Sequence, residues 1–113
     1  MSNDCIFCKI AKKELPSTIV EETDDIIVIE DLHPQAPTHL LVIPKAHYST
    51  LLDCEDEALL GAMLAMANKV ARKTGIDADG FRVITNVKEG GGQVVFHIHM
   101  HVMGGRPLKE GMG

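Results

Sequence analysis

Val94-Val95-Phe96-His97-Ile98-His99-Met100-His101-Val102 is the stretch on which the reading of this chain turns. Its even positions, 94 to 102, are all apolar, and odd positions 97, 99 and 101 are all histidine. Successive strand side chains point to opposite faces, so this alternation predicts a strand over 94–103 with one wholly apolar face. The other face carries three imidazoles roughly 7 Å apart in Cα spacing. A core does not account for three aligned imidazoles, because each buried one needs a hydrogen-bond partner.

Two chemistries use such a row. His-x-His on a strand presents two nitrogens to one metal ion, as in catalytic zinc centres. Alternatively, a neutral imidazole attacks phosphorus and forms a phospho-imidazole that water resolves, while a protonated neighbour binds phosphate or serves the leaving group. The preceding Gly90-Gly91-Gly92-Gln93 favours the second, since glycines let backbone approach a ligand and aim N–H groups at an anion. Asn86, at the end of the neighbouring predicted strand, can add its side-chain amide.

Outward from this stretch, the sequence predicts strands over 81–86, 39–43, 26–29 and 18–22. The run Ile26 to Ile29 is β-branched, and Thr23-Asp24-Asp25 supplies a turn that makes the first two strands a hairpin. Asp31 to Pro37 carries two prolines and is expected to be a structured loop. Between Glu55 and Thr74, Leu59, Leu60, Met63, Ala67, Val70 and Ala71 form an amphipathic helical stripe, with Asp53 or Asp56 as cap and Gly75 as terminator. A short helix is expected over 6–11, before Leu15-Pro16. The expected fold class is α+β, with five mostly antiparallel strands, one long helix and one short N-terminal helix, in a single domain over 1–113.

The chain has 113 residues, 45% of them hydrophobic, with 11 basic against 16 acidic side chains and a net charge of −5. That length suits one core. Scattered basic residues in an acidic chain argue against a nucleic-acid polymer as partner. No stretch reaches the ~20 apolar residues of a membrane span, and Met1-Ser2-Asn3-Asp4 has no signal-peptide character, so the expected location is the cytoplasm and no membrane partner is expected. Cys5 and Cys8 form a Cys-x-x-Cys pair, which in a reducing compartment reads as a metal clip or redox motif. A tetrahedral zinc needs two further ligands, for which His47 and His97 are the candidates. Cys54 has no partner in the pattern and is expected to be inert.

The run His97-Ile98-His99-Met100-His101-Val102, followed by Met103-Gly104-Gly105-Arg106, resembles the motif of the histidine-triad (HIT) family. Further matches are Cys5-Ile6-Phe7-Cys8-Lys9-Ile10, Pro34-Gln35-Ala36-Pro37-Thr38-His39 and Gly91-Gly92-Gln93; together they are most similar to the Hint-type purine nucleoside phosphoramidase branch. The resemblance implies a HIT-like fold and a nucleophilic His99 that becomes nucleotidylated. It gives His101 the α-phosphate and departing group, and has His97 and His39 orient the cluster. Asn86 and the backbone at Gly92 and Gln93 would hold phosphate oxygens, and Asp31, beside Leu32, would accept the ribose hydroxyls.

The implied substrates are nucleoside 5′-phosphoramidates or acyl-nucleotidylates of AMP or GMP, adenosine being the expected base, cleaved without a catalytic metal. Other activities open to this superfamily are dinucleoside polyphosphate hydrolysis and nucleotide-binding scaffolding with residual catalysis. The resemblance also implies a homodimer joined through the long helix and an edge strand, and a structural zinc on Cys5, Cys8, His47 and His97. Val94 stands where animal members of the branch carry serine, and valine offers no hydrogen bond to a leaving group. The tail Leu108 to Gly113 lacks the aromatic residue that closes some members' sites.

Overall fold

A computed structural model describes residues 5–110; Met1–Asp4 and the last three residues of the Leu108–Gly113 tail lie outside the described residues. In chain order the elements are α1 (Ile6–Ala11), β1 (Ile19–Glu22), β2 (Ile26–Glu30), β3 (Thr38–Pro44), α2 (Glu57–Thr74), β4 (Phe81–Ile84) and β5 (Met100–Gly104). The strands form one sheet in the order β1-β2-β3-β5-β4, every pairing antiparallel. Among the described residues no helix is long and apolar enough to cross a membrane.

The strand period divides the core in two. Ile26, Val28, Leu40, Val42, Met100 and Val102 face α2, whose Met63, Met66, Ala67, Val70 and Ala71 are buried against them. Ile27, Ile29, Leu41 and Ile43 point to the opposite face, where Phe7 and Ile10 of α1 cover them. β2 and β3 are therefore apolar on both faces, as strands covered from both sides must be. His39 and His101 share the α1 side with Leu41, which pairs directly with His101.

Asp56 caps α2, its carboxylate accepting from the Leu59 N–H at 3.0 Å, and Gly75 ends the helix at φ +83°. Asp53 instead accepts from the backbone and hydroxyl of Thr50, closing a short 3-10 turn over Leu51–Asp53. The helix thus begins at Glu57, two residues after the Glu55 start of the expected range.

The strand expected over 94–103 is shorter and later than its alternation implies. Ladder pairing begins only at Met100, and residues 94–99 run outside the sheet. The partner explains this: Val42 pairs with Met100, so continuing the register two residues further would set Ile98 against Pro44, which has no N–H to give. Ile98 N–H donates to the Tyr48 carbonyl instead, at 2.8 Å. The apolar face holds for Ile98, Met100 and Val102, whereas Val94 and Phe96 are 88% and 42% exposed. β4 likewise stops at Ile84 rather than Asn86, and Thr85 reaches the same segment through its hydroxyl, which donates to the His99 carbonyl at 3.0 Å.

Candidate active site and metal cluster

The three triad histidines divide between two sites, and their hydrogen bonds say which nitrogen of each is free. His97 is fully buried and its Nε2 donates to the Pro44 carbonyl at 2.7 Å, so Nδ1 carries the lone pair. That nitrogen lies 3.2 Å from Cys5 Sγ, 3.6 Å from Cys8 Sγ and 3.1 Å from His47 Nδ1; His47 Nδ1 is itself 3.2 Å from Cys8 Sγ. The Nε2 of His47 is 3.3 Å from Ser49 Oγ, leaving its Nδ1 for the cluster as well. Cys5, Cys8, His47 and His97 thus converge with their ligand atoms within 4.8 Å of one another. Cys54 is buried elsewhere, its thiol near the Asp56 carbonyl.

His99 makes the opposite use of its ring. Its Nδ1 donates to the His97 carbonyl at 2.7 Å, which leaves Nε2 unprotonated and nucleophilic. Phe7 of α1 packs edge-on against this ring, with centroids 5.0 Å apart, and against His97 at 5.9 Å. Phe7 is a site residue the sequence reading passed over. Its signal was the Phe7/Ile10 spacing that turns one side of α1 inward.

His101 contacts His39 on the neighbouring strand, Nδ1 to Nε2 at 2.9 Å. The Gln35 N–H donates to His39 Nδ1 at 2.9 Å, so the proton of neutral His39 sits on Nε2 and is shared between His101 Nδ1 and Asp31 Oδ2, the latter at 3.3 Å. This second cluster of two histidines and a carboxylate is therefore a hydrogen-bond chain rather than a cation site, since a ligating His39 Nε2 would need its proton on the nitrogen that already accepts from Gln35. Burial pushes the pKa values of His39, His97 and His99 down, and takes His101 to about 4 with help from the neighbouring His99 and His39. The row is held neutral, as an attacking imidazole must be.

His99 and His101 open onto a cavity of about 610 Å³, lined on its apolar side by Ile6, Phe7, Ile10, Leu15, Ile29 and Leu41, and elsewhere by Asp31, Leu32, Asn86, Gly92 and Val94. That volume suits a small organic ligand. Asn86 Nδ2 donates to the Gly91 carbonyl at 2.7 Å and keeps a second hydrogen free of that bond.

The glycine-rich loop behaves differently from the expected row of anion-facing amides. The N–H groups of Gly91, Gly92 and Gln93 already donate to the carbonyls of Lys88, Glu89 and Lys88. The Gln93 side chain is buried away from the cavity, accepting from Lys88 N–H and donating to the carbonyls of Ser49 and Val95. Gln93 pins the loop, holding Lys88 at φ +60°, where a non-glycine residue needs such support.

A HIT-domain family model matches residues 12–108. The purine nucleoside phosphoramidase of Escherichia coli strain K12 is 47% identical over 110 residues, covering 96% of this chain and 92% of that protein. A HIT family hydrolase from Legionella pneumophila superposes with a TM-score of 0.94 at 46% identity, covering 97% of this chain and all of that one. A histidine triad protein from Clostridium difficile gives 0.93 at 45% identity, with 97% of each chain covered. The chain belongs to the HIT-domain family, as one of its hydrolases.

Proposed function

We propose that this protein hydrolyses nucleoside 5′-phosphoramidates or acyl-nucleotidylates, with a purine base and adenosine expected, through a nucleotidyl-His99 intermediate. The observation that carries this is the His99 tautomer: Nδ1 donates to the His97 carbonyl, so the lone pair of Nε2 is available at the cavity wall. In the first step that lone pair forms a bond to the α-phosphorus. The bond from phosphorus to the leaving nitrogen breaks with its electron pair on nitrogen, which takes up a proton through His101 and departs as the amine. In the second step the oxygen of water bonds to phosphorus, and the bond to His99 Nε2 breaks with its electron pair returning to that nitrogen. The proton lost by the water passes back through His101 to replace the one the amine took, releasing the nucleoside monophosphate.

The substrate's base would lie among Phe7, Ile10 and Ile29, its ribose against Asp31 beside Leu32, and its phosphate between His101 and Asn86, with Gly92 allowing close approach. The E. coli relative's name supports the phosphoramidate class. Mass spectrometry of enzyme quenched during turnover tests the reading: a nucleotidyl mass on the peptide bearing His99 is expected, and turnover with the adduct elsewhere, or with none, overturns it. Comparing a diadenosine polyphosphate with the phosphoramidate in the same assay tells the two substrate classes apart.

The Cys5, Cys8, His47 and His97 cluster fits a structural zinc. Tetrahedral bonds of about 2.3 Å to sulfur and 2.0–2.1 Å to nitrogen put S···N edges near 3.5 Å and N···N edges near 3.3 Å. The corresponding separations here are 3.2, 3.2, 3.6 and 3.1 Å. His97 presents the correct nitrogen and holds the other on Pro44, the outer-shell bond that metal-binding histidines usually make. The ion would tie α1 to the segment that bears His99, while the His99 ring itself does the chemistry.

We also propose a homodimer through β4 and α2. β4 is a sheet edge, Val83 sits opposite Val102 on the side that α2 covers, and Val83 and Leu64 are 37% and 52% exposed.

A further inference from the structure

We infer that Asp31 is also a positioning residue for the reaction itself: through His39, its carboxylate sets which nitrogen of His101 carries a proton, whether or not a ribose hydroxyl is bound. This rests on the nucleotidyl-transfer reading above and adds a role that ribose recognition does not require.

The two oxygens of Asp31 are used differently. Oδ1 accepts from the His33 N–H at 2.8 Å, which turns the carboxylate so that Oδ2 lies 3.3 Å from His39 Nε2. His39 is 6% exposed and has no freedom at its other nitrogen, where the Gln35 N–H donates. Its proton is thus held on Nε2 between Asp31 Oδ2 and His101 Nδ1, and His101 is left as the tautomer with its proton on Nε2. Remove the negative charge and His39 loses the partner that favours this arrangement.

The same charge reaches the whole row. As His99 Nε2 bonds to phosphorus, positive charge develops on its ring in a site that burial makes hostile to cations. Asp31 is the carboxylate that reaches the row, its Oδ2 lying 3.3 Å from His39 Nε2, which lies in turn 2.9 Å from His101 Nδ1. Glu30 and His33 also line the cavity but make no bond to the chain of imidazoles.

The test separates the two duties by removing the ribose contact from the substrate. Adenosine 5′-phosphoramidates and their 2′,3′-dideoxy analogues, each with amines of graded basicity, are assayed with the wild type, Asp31→Asn and Asp31→Ser. Serine can still accept from the His33 N–H and so preserves the turn, and thermal melting checks both variants. On the dideoxy series kcat falls at least about tenfold in both variants, less than the roughly 100-fold for losing an acid–base group outright, and the loss grows with the basicity of the amine. Dideoxy turnover within twofold of the wild type, with the whole effect in KM for the ribo-substrate, overturns the inference. A wild type that turns over neither series overturns the parent reading, and this inference with it.

Discussion

His99 and His97 differ in which ring nitrogen is tied down, and in the proposed reading that one choice separates the nucleophile from the zinc ligand. Replacing His99 with Ala removes the lone pair while leaving the surrounding hydrogen bonds of His97, His39 and His101 in place. Turnover of an adenosine phosphoramidate is expected to fall about 10⁴-fold or more, the order seen when an enzyme loses its nucleophile, with the melting temperature changed by only a few degrees. His101 has a folded pKa of about 4 against an ordinary 6.5. The unfolded chain therefore binds a proton at this side chain that the folded chain refuses, and stability falls as pH drops from about 6.5 towards 4, with no loss from this group above that window. Denaturant unfolding at pH 7 and pH 5 measures the slope, and His101→Gln is expected to flatten it.

Each element places these residues through a small number of contacts. Gly104 at the end of β5 has no room for a side chain, since a Cβ there would meet the Ile76 side chain at 2.9 Å. Gly104→Ala is expected to cost about 1–3 kcal/mol in denaturant unfolding as Ile76 is forced aside. Asp56→Ala removes the cap of α2 and is expected to cost about 1 kcal/mol without affecting turnover by more than a few-fold. α1 has only six residues, too few to be stable alone, so its hold on Phe7 depends on packing and on the cysteine cluster. Cys8→Ser is expected to lower bound zinc measured by elemental analysis, reduce the melting temperature by several degrees, and lower turnover through misplacement of Phe7 and His99.

At the scale of the molecule, one sheet serves two sites from one face because α2 covers the other. The N-terminal helix, the segment after β3 and the approach to β5 all meet at the cysteine–histidine cluster, so these parts are expected to loosen together. Exhaustive chelation followed by hydrogen exchange is expected to raise exchange in 5–11 and 94–99 while the β2–β3 pairing stays protected. The edge strand and exposed helix residues predict a dimer by light scattering, and a charge at Val83, as in Val83→Lys, is expected to shift it to monomer by placing an ion in an apolar contact.

Local pattern was enough to read the α+β class, the six residues of α1, Gly75 as the end of α2 and the grouping of the triad, while the choice between Asp53 and Asp56 as cap was left to the tertiary structure. Helix and strand periods depend on neighbours within a few residues, and His97, His99 and His101 stay on one side whether or not they lie in a ladder. The ends of β4 and β5 were not legible that way. They depend on where Pro44 falls opposite Ile98, a register that pairs residues more than fifty positions apart. The role of the Gln93 side chain was not legible either, because Lys88, Ser49 and Val95 become its partners only when the chain closes on itself. The amino-acid sequence by itself determined that three imidazoles would stand together. Only the tertiary structure decided their tautomers, because the groups that hold the protons, the carbonyls of Pro44 and His97 and the N–H of Gln35, are backbone atoms that no side-chain pattern records.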